Sequence, residues 1–133
     1  QRGEQRRLAR ERGNVRVLGL VFDTRGTVME RWPYLHFEWY AVVRGGGVAA
    51  HSFTANSPMP VRLRRAARAP APEVWHPYRF DYDAHGEFFD YFIVRGSPAQ
   101  AAPLASRPDA VAEVRRAGAW RVYRQRFELS AAP

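Results

Sequence analysis

Phe88-Phe89-Asp90-Tyr91-Phe92-Ile93-Val94-Arg95-Gly96 is an apolar run with the length and residue types of a strand, and the segments after it decide the fold. A proline-rich loop leads on to Pro103, Pro108 and Asp109, which prepare a helix over 109–117 with Val111 and Val114 on one face and Gly118 as its terminator. Trp120, Val122, Tyr123 and Phe127 mark a last strand, and Arg121, Arg124 and Arg126 predict that it lies at an edge with one face in water. Strand, helix and strand in this order predict a C-terminal βαβ unit. Working outward, residues 15–22 are almost continuously apolar, as in a central parallel strand covered on both faces. The expected fold is α/β, a small three-layer domain with a mainly parallel sheet.

The chain has 133 residues, enough for one core that buries roughly two-thirds of the surface of the unfolded chain. Residues 1–13 read as a charged helical lead-in, the expected end of a longer upstream chain that begins here with Gln rather than Met. Residues 14–129 are the expected single domain and 130–133 a tail. No apolar run approaches the roughly 20 residues of a membrane-spanning helix. Cysteine is absent, which removes disulfides, thiolate catalysis and zinc–thiolate sites together. All 21 basic residues are arginine and the net charge is +8. An alanine-rich, lysine-free composition is the signature of a GC-rich genome, yet the excess charge still attracts anionic surfaces.

The first strand ends in Asp23-Thr24-Arg25-Gly26, a polar turn at the carboxyl edge where ligands of open α/β sheets sit. Pro33, Gly45 and the spacing of Leu35, Trp39, Val42 and Val43 predict a helix over 34–44, against a competing strand over 36–43. Short strands are expected over 48–54 and 61–65. The ligand-binding candidates are Asp23, Arg25, His36, Glu38, Tyr40 and His51, with His36 and Tyr40 one helical turn apart. Arg62, Arg64, Arg65 and Arg68 form the densest basic cluster and are candidates for anion contacts. With Trp75, Tyr78 and Phe80 nearby they also admit a nucleic-acid reading, in which aromatics stack bases while arginines meet phosphate. A solvated edge strand is the simpler account.

No complete catalytic motif is present. Asp81-Tyr82-Asp83-Ala84-His85-Gly86-Glu87 opens like a calcium loop, but its twelfth position is Phe92 where a bidentate Glu is required. Gly45-Gly46-Gly47 has neither the Walker ending nor dinucleotide-binding spacing, and no G-x-S-x-G elbow occurs. No cofactor and no metal is implied. Catalytic residues are not assigned.

Several segments taken in order carry a family resemblance: Val15-Arg16-Val17-Leu18-Gly19-Leu20, Tyr34-Leu35-His36, Ser52-Phe53, Met59-Pro60-Val61, Phe89 through Gly96, and Gly118-Ala119-Trp120-Arg121-Val122-Tyr123. This pattern resembles the soluble C-terminal portion of bacterial polytopic membrane proteins of the GT-C glycosyltransferase-like kind. The resemblance implies a non-catalytic accessory domain at the periplasmic or extracellular face of the membrane, following a membrane part that performs sugar transfer. Its implied partners are that upstream membrane domain and anionic lipid or a lipid-linked phosphate; nucleic acid is not favoured. Two alternatives stay open: a small free-standing enzyme or ligand-binding domain with a site at the sheet edge, and an arginine-rich nucleic-acid module.

Overall fold

In the computed structural model, which describes residues 15–26, 28, 33–45, 47–50 and 71–126, the chain starts with β1 (Arg16–Val21), buried at every residue after Arg16. It continues through α1 (Glu38–Gly45) to β2 (Val48–Ala49). A 3₁₀ turn (Pro77–Arg79), α2 (Tyr82–His85) and a second 3₁₀ turn (Gly86–Phe88) lead to β3 (Tyr91–Arg95). Then come α3 (Pro98–Ala105), β4 (Val111–Ala117) and β5 (Trp120–Gln125). The five strands form one sheet in the order β2-β1-β3-β5-β4. β1 is parallel to both its neighbours, while β3 with β5 and β5 with β4 are antiparallel. The class is α/β with a mixed sheet, its parallel character confined to β2-β1-β3.

β1 is the strand that the apolar run predicts, and its two faces are buried against different partners. Leu18 and Leu20 join Phe80, Phe89, Phe92, Val94, Ala101, Leu104, Val111 and Tyr123 in the main core. Gly19, on the other face, lies against the buried Glu38 of α1: a Cβ there would stand 2.5 Å from its Oε2. Asp90 ties the strands together at the start of β3. Its Oδ2 accepts from the Arg16 N–H at 2.9 Å, its own N–H donates to the Arg16 carbonyl, and its carbonyl accepts from the Gln125 N–H.

The C-terminal unit departs from expectation in three ways. Residues 111–117, inside the expected helix over 109–117, are strand β4, and Gly118 (φ +56°) takes the first central position of a two-residue hairpin loop joining β4 to β5. That is the place where a II′ turn needs a positive φ. Val111 is buried but Val114 is 47% exposed beside an irregularity between Glu113 and Arg115, so their spacing of three does not mark a helix face. The helix of this unit lies instead in the expected loop. Ser97 Oγ accepts from the Gln100 N–H at 3.2 Å and Gln100 Oε1 accepts from the Ser97 N–H at 2.8 Å, a capping box with Pro98 in the first turn. Finally, β5 is an interior strand between β3 and β4, not an edge, and Arg121 is buried.

The strand expected over 88–96 is narrower, because Phe88 belongs to the preceding 3₁₀ turn. The helix expected over 34–44 begins at Glu38. Bonds from Phe37 N–H to Tyr34 C=O, from Trp39 to His36 and from Tyr40 to Phe37 wind residues 34–40 tightly before the α-helix proper. Glu38 is buried and Val43 is 81% exposed, while Leu35 and Trp39 of the expected apolar face are half-buried. Of the strand expected over 48–54, residues 48–49 pair with β1. The lead-in 1–13, the strand over 61–65, Phe127 and the tail 130–133 lie outside the described residues.

Candidate functional site

β1 leads through α1 to β2 on one side, while β3 lies on its other side, so the strand order reverses between β1 and β3. A crevice opens outside the carboxyl ends of the strands at such a switch point. Here the N–H groups of Phe22 and Asp23 both donate to the Arg95 carbonyl, at 2.9 and 3.3 Å, and pin the two strand ends together. A cavity of about 350 Å³ lies at this edge, lined by Val21, Phe22, Thr24, Val74, Trp75, Pro77, Tyr78 and Gln100. Its volume falls in the range of small-molecule sites. Trp75 and Tyr78 reach it from the loop before α2 and remain 51% and 66% exposed. Pro77 fixes the 3₁₀ turn that carries Tyr78, and the turn closes with the Phe80 N–H donating to the Pro77 carbonyl. Among the described residues the lining contains no carboxylate, histidine or arginine. Two aromatic faces with a hydroxyl and an amide can hold an uncharged ligand that has an apolar face and hydroxyl groups.

Beside the cavity the residues predicted from the sequence serve other purposes. Asp23 accepts from the Arg25 N–H at 3.3 Å, and its Oδ2 lies 3.5 Å from Arg95 Nη2. Arg95 also donates from Nε to the Asp23 carbonyl, and its guanidinium stacks over Tyr34 at 4.2 Å and Trp120 at 5.2 Å. Tyr34, Phe37 and Trp120 form an aromatic cluster that continues to Tyr40, itself 64% exposed. Asp23 therefore positions Arg95, and Arg25 is an exposed turn residue. His36 sits half-buried in the turn before α1, and Glu38 is buried beneath β1. The Tyr40 ring packs on Phe37 at 5.0 Å. His51, Arg62, Arg64, Arg65 and Arg68 lie outside the described residues.

The acidic loop has a structural account. The Asp81 side chain accepts from the Asp83 N–H and caps α2, and Asp83 pairs with Arg107 at 3.1 Å while that guanidinium lies 4.8 Å from the Tyr82 ring centre. Among the described residues no three histidine or acidic side chains gather as a metal site.

A second, smaller cavity of about 160 Å³ lies on the α3 side of the β4–β5 hairpin, lined by Pro98, Ala101, Ala105, Glu113, Arg116, Arg121 and Tyr123. Both carboxylate oxygens of Glu113 are taken by Arg116, at 2.6 Å from Nε and 2.9 Å from Nη2. These bonds hold the Glu113 carboxyl below its ordinary value, with Arg121 adding to the effect, while burial pushes the Tyr123 hydroxyl up. Arg121 is 8% exposed, and its buried Nη1 has no hydrogen-bond partner among the described residues. Leaving such a donor unmatched costs on the order of 1–3 kcal/mol, more for a charged group.

Comparison with family models, with curated proteins and with solved structures finds no match to this chain. Function therefore rests on the chemistry of the two cavities. In the sequence Trp75 and Tyr78 stand only as neighbours of the arginine cluster, Thr24 lies in the polar turn expected at the ligand-binding edge, and nothing singles out Gln100. The Pro77 turn holding two aromatics three residues apart was the available signal.

Proposed function

We propose that this chain is a non-catalytic binding domain that holds a saccharide at the β1–β3 switch point, as an accessory part of a membrane-associated, glycosyltransferase-like bacterial protein. The observation that carries the reading is the aromatic-walled cavity at the carboxyl edge of β1, with Trp75, Tyr78, Thr24 and Gln100 in its lining. Sugar rings present an apolar C–H face that stacks on Trp and Tyr, and hydroxyls that hydrogen-bond to side chains such as Thr24 and Gln100. Burial of β1 on both faces supports a three-layer arrangement around the parallel strands. An acceptor held in this way at the periplasmic or outer face would be presented to a membrane part in the same polypeptide.

The test is a titration of the chain with glucose, galactose, mannose and their β-1,4-linked disaccharides, followed by ¹H–¹⁵N NMR. Saturable shifts at Thr24, Trp75, Tyr78 and Gln100 with millimolar affinity, about −4 kcal/mol, are expected for at least one sugar. Trp75→Ala should abolish them while leaving the spectrum of the sheet unchanged. Linear, unsaturated shifts with every sugar would overturn the reading.

A further inference from the structure

We propose that the pocket between α3 and the β4–β5 hairpin is a binding site for a phosphate-sized oxyanion, held by Arg121 and Arg116. The inference is independent of the saccharide reading, since Gln100 lines the aromatic cavity while Pro98, Ala101 and Ala105 of the same helix line this one. Arg116 occupies both oxygens of Glu113, and Arg121 lines the same pocket. Arg121 has a buried Nη1 that donates to no described group. Arg121 and Arg116 both line the pocket, and planar guanidinium donors fit the tetrahedral oxygens of phosphate.

The walls suit this ligand. Pro98, Ala101 and Ala105 recur along one side of α3 and carry short side chains, which leaves the space open above Arg121. A volume of about 160 Å³ is roughly five times the share of a water molecule in the liquid. That admits a phosphoryl group with a few waters. Tyr123, whose ring belongs to the main core, lines the same space and adds a neutral hydroxyl. Glu113 is the counterweight: its carboxylate competes with an incoming anion for both guanidiniums, so the site as built is weak and its affinity depends on that one charge.

The measurement is a titration of the 133-residue chain with sodium phosphate at constant ionic strength, read on the arginine Nε–H signals. Saturable shifts at Arg121 and Arg116 are expected, with affinity reduced at least about tenfold in Arg121→Met. Glu113→Gln, a change on the open side of the pocket, should tighten binding severalfold, whereas a purely structural Arg121 predicts no tightening. A second arm uses phosphatidylcholine vesicles with and without phosphatidic acid. Binding only to the acidic vesicles, competed by free phosphate, identifies a phosphomonoester lipid headgroup as the source. Saturable phosphate binding without vesicle binding identifies free phosphate or a soluble phosphate ester. Unsaturated shifts, or affinity unchanged in Glu113→Gln, would overturn the proposal even if Arg121→Met fails to fold.

Discussion

In the parallel half of the sheet, β1 is buried at five consecutive residues and a glycine is all that fits beneath Glu38, whereas the β4–β5 hairpin leaves residues 113–117 exposed and buries an arginine. The first region is specified by apolar density and close packing. The second is specified by its turn and by charge. β4 ends the sheet, and an open edge invites pairing with other chains; an irregularity between Glu113 and Arg115 and two adjacent arginines blunt that tendency. Arg116 stands directly opposite Arg121 across the hairpin, and Glu113 offsets the like charges. The parallel half thus carries stability, and the hairpin holds the charged pocket.

The largest expected effect separates the two halves. Leu18→Ala removes a fully buried side chain from the core and should cost about 2–5 kcal/mol. Val114→Ala, at a half-exposed position on β4, should stay within about 0.5 kcal/mol. Chemical denaturation of both variants measures the contrast, and equal losses would break it. A finer cut through the parallel half is Gly19→Ala. The new Cβ would stand 2.5 Å from Glu38 Oε2 and 2.7 Å from its Cδ, and a side chain buried to this extent has little room to swing away. A loss of about 1–3 kcal/mol is expected. The double variant Gly19→Ala/Glu38→Ala should lose less than the sum of the singles, by at least about 0.5 kcal/mol. Additive losses would show that the contact does not set the β1–α1 packing.

The same contrast explains what the sequence revealed. β1 was legible because a strand covered on both faces needs no periodicity, only an unbroken apolar run. The helix after Pro33 was legible from its ends, but its inward face was not, since burial of Glu38 depends on Gly19 in another element. β4 misled for a physical reason: an edge strand need not alternate, Val111 and Val114 satisfy a helical spacing by chance, and Gly118 can end a helix or turn a hairpin. The prolines at 98, 103 and 108 concealed α3, although Ser97 and Gln100 carried its capping box. The carboxyl edge of β1 was found by position, yet Trp75, Tyr78 and Gln100 come to it only through tertiary packing. Arg121 was grouped with Arg124 and Arg126 as solvent-facing. Its parity in β5 places it with Tyr123 and Gln125 instead, and all three are buried.

The smallest effect tests whether charge stabilises the hairpin at all. Arg116 holds the Glu113 carboxyl below its ordinary value of 4.5, through their hydrogen bonds first and with help from Arg121. A carboxyl whose pKa is lower in the folded state than in the unfolded state adds stability in full above the unfolded value. That stability is lost as pH falls through the folded one. Wild type should therefore melt above Glu113→Gln at pH 6, by a constant margin down to about pH 4.5. The margin should then close toward pH 2 as the carboxyl takes up its proton. Because the Arg116 side chain is 61% exposed, screening keeps the margin small, well below the loss in Leu18→Ala. Thermal melts across this range read it directly. A margin that persists unchanged at pH 2 would show that the ionised carboxylate is not its source, and charge would then matter in this half of the sheet only for what the pocket binds.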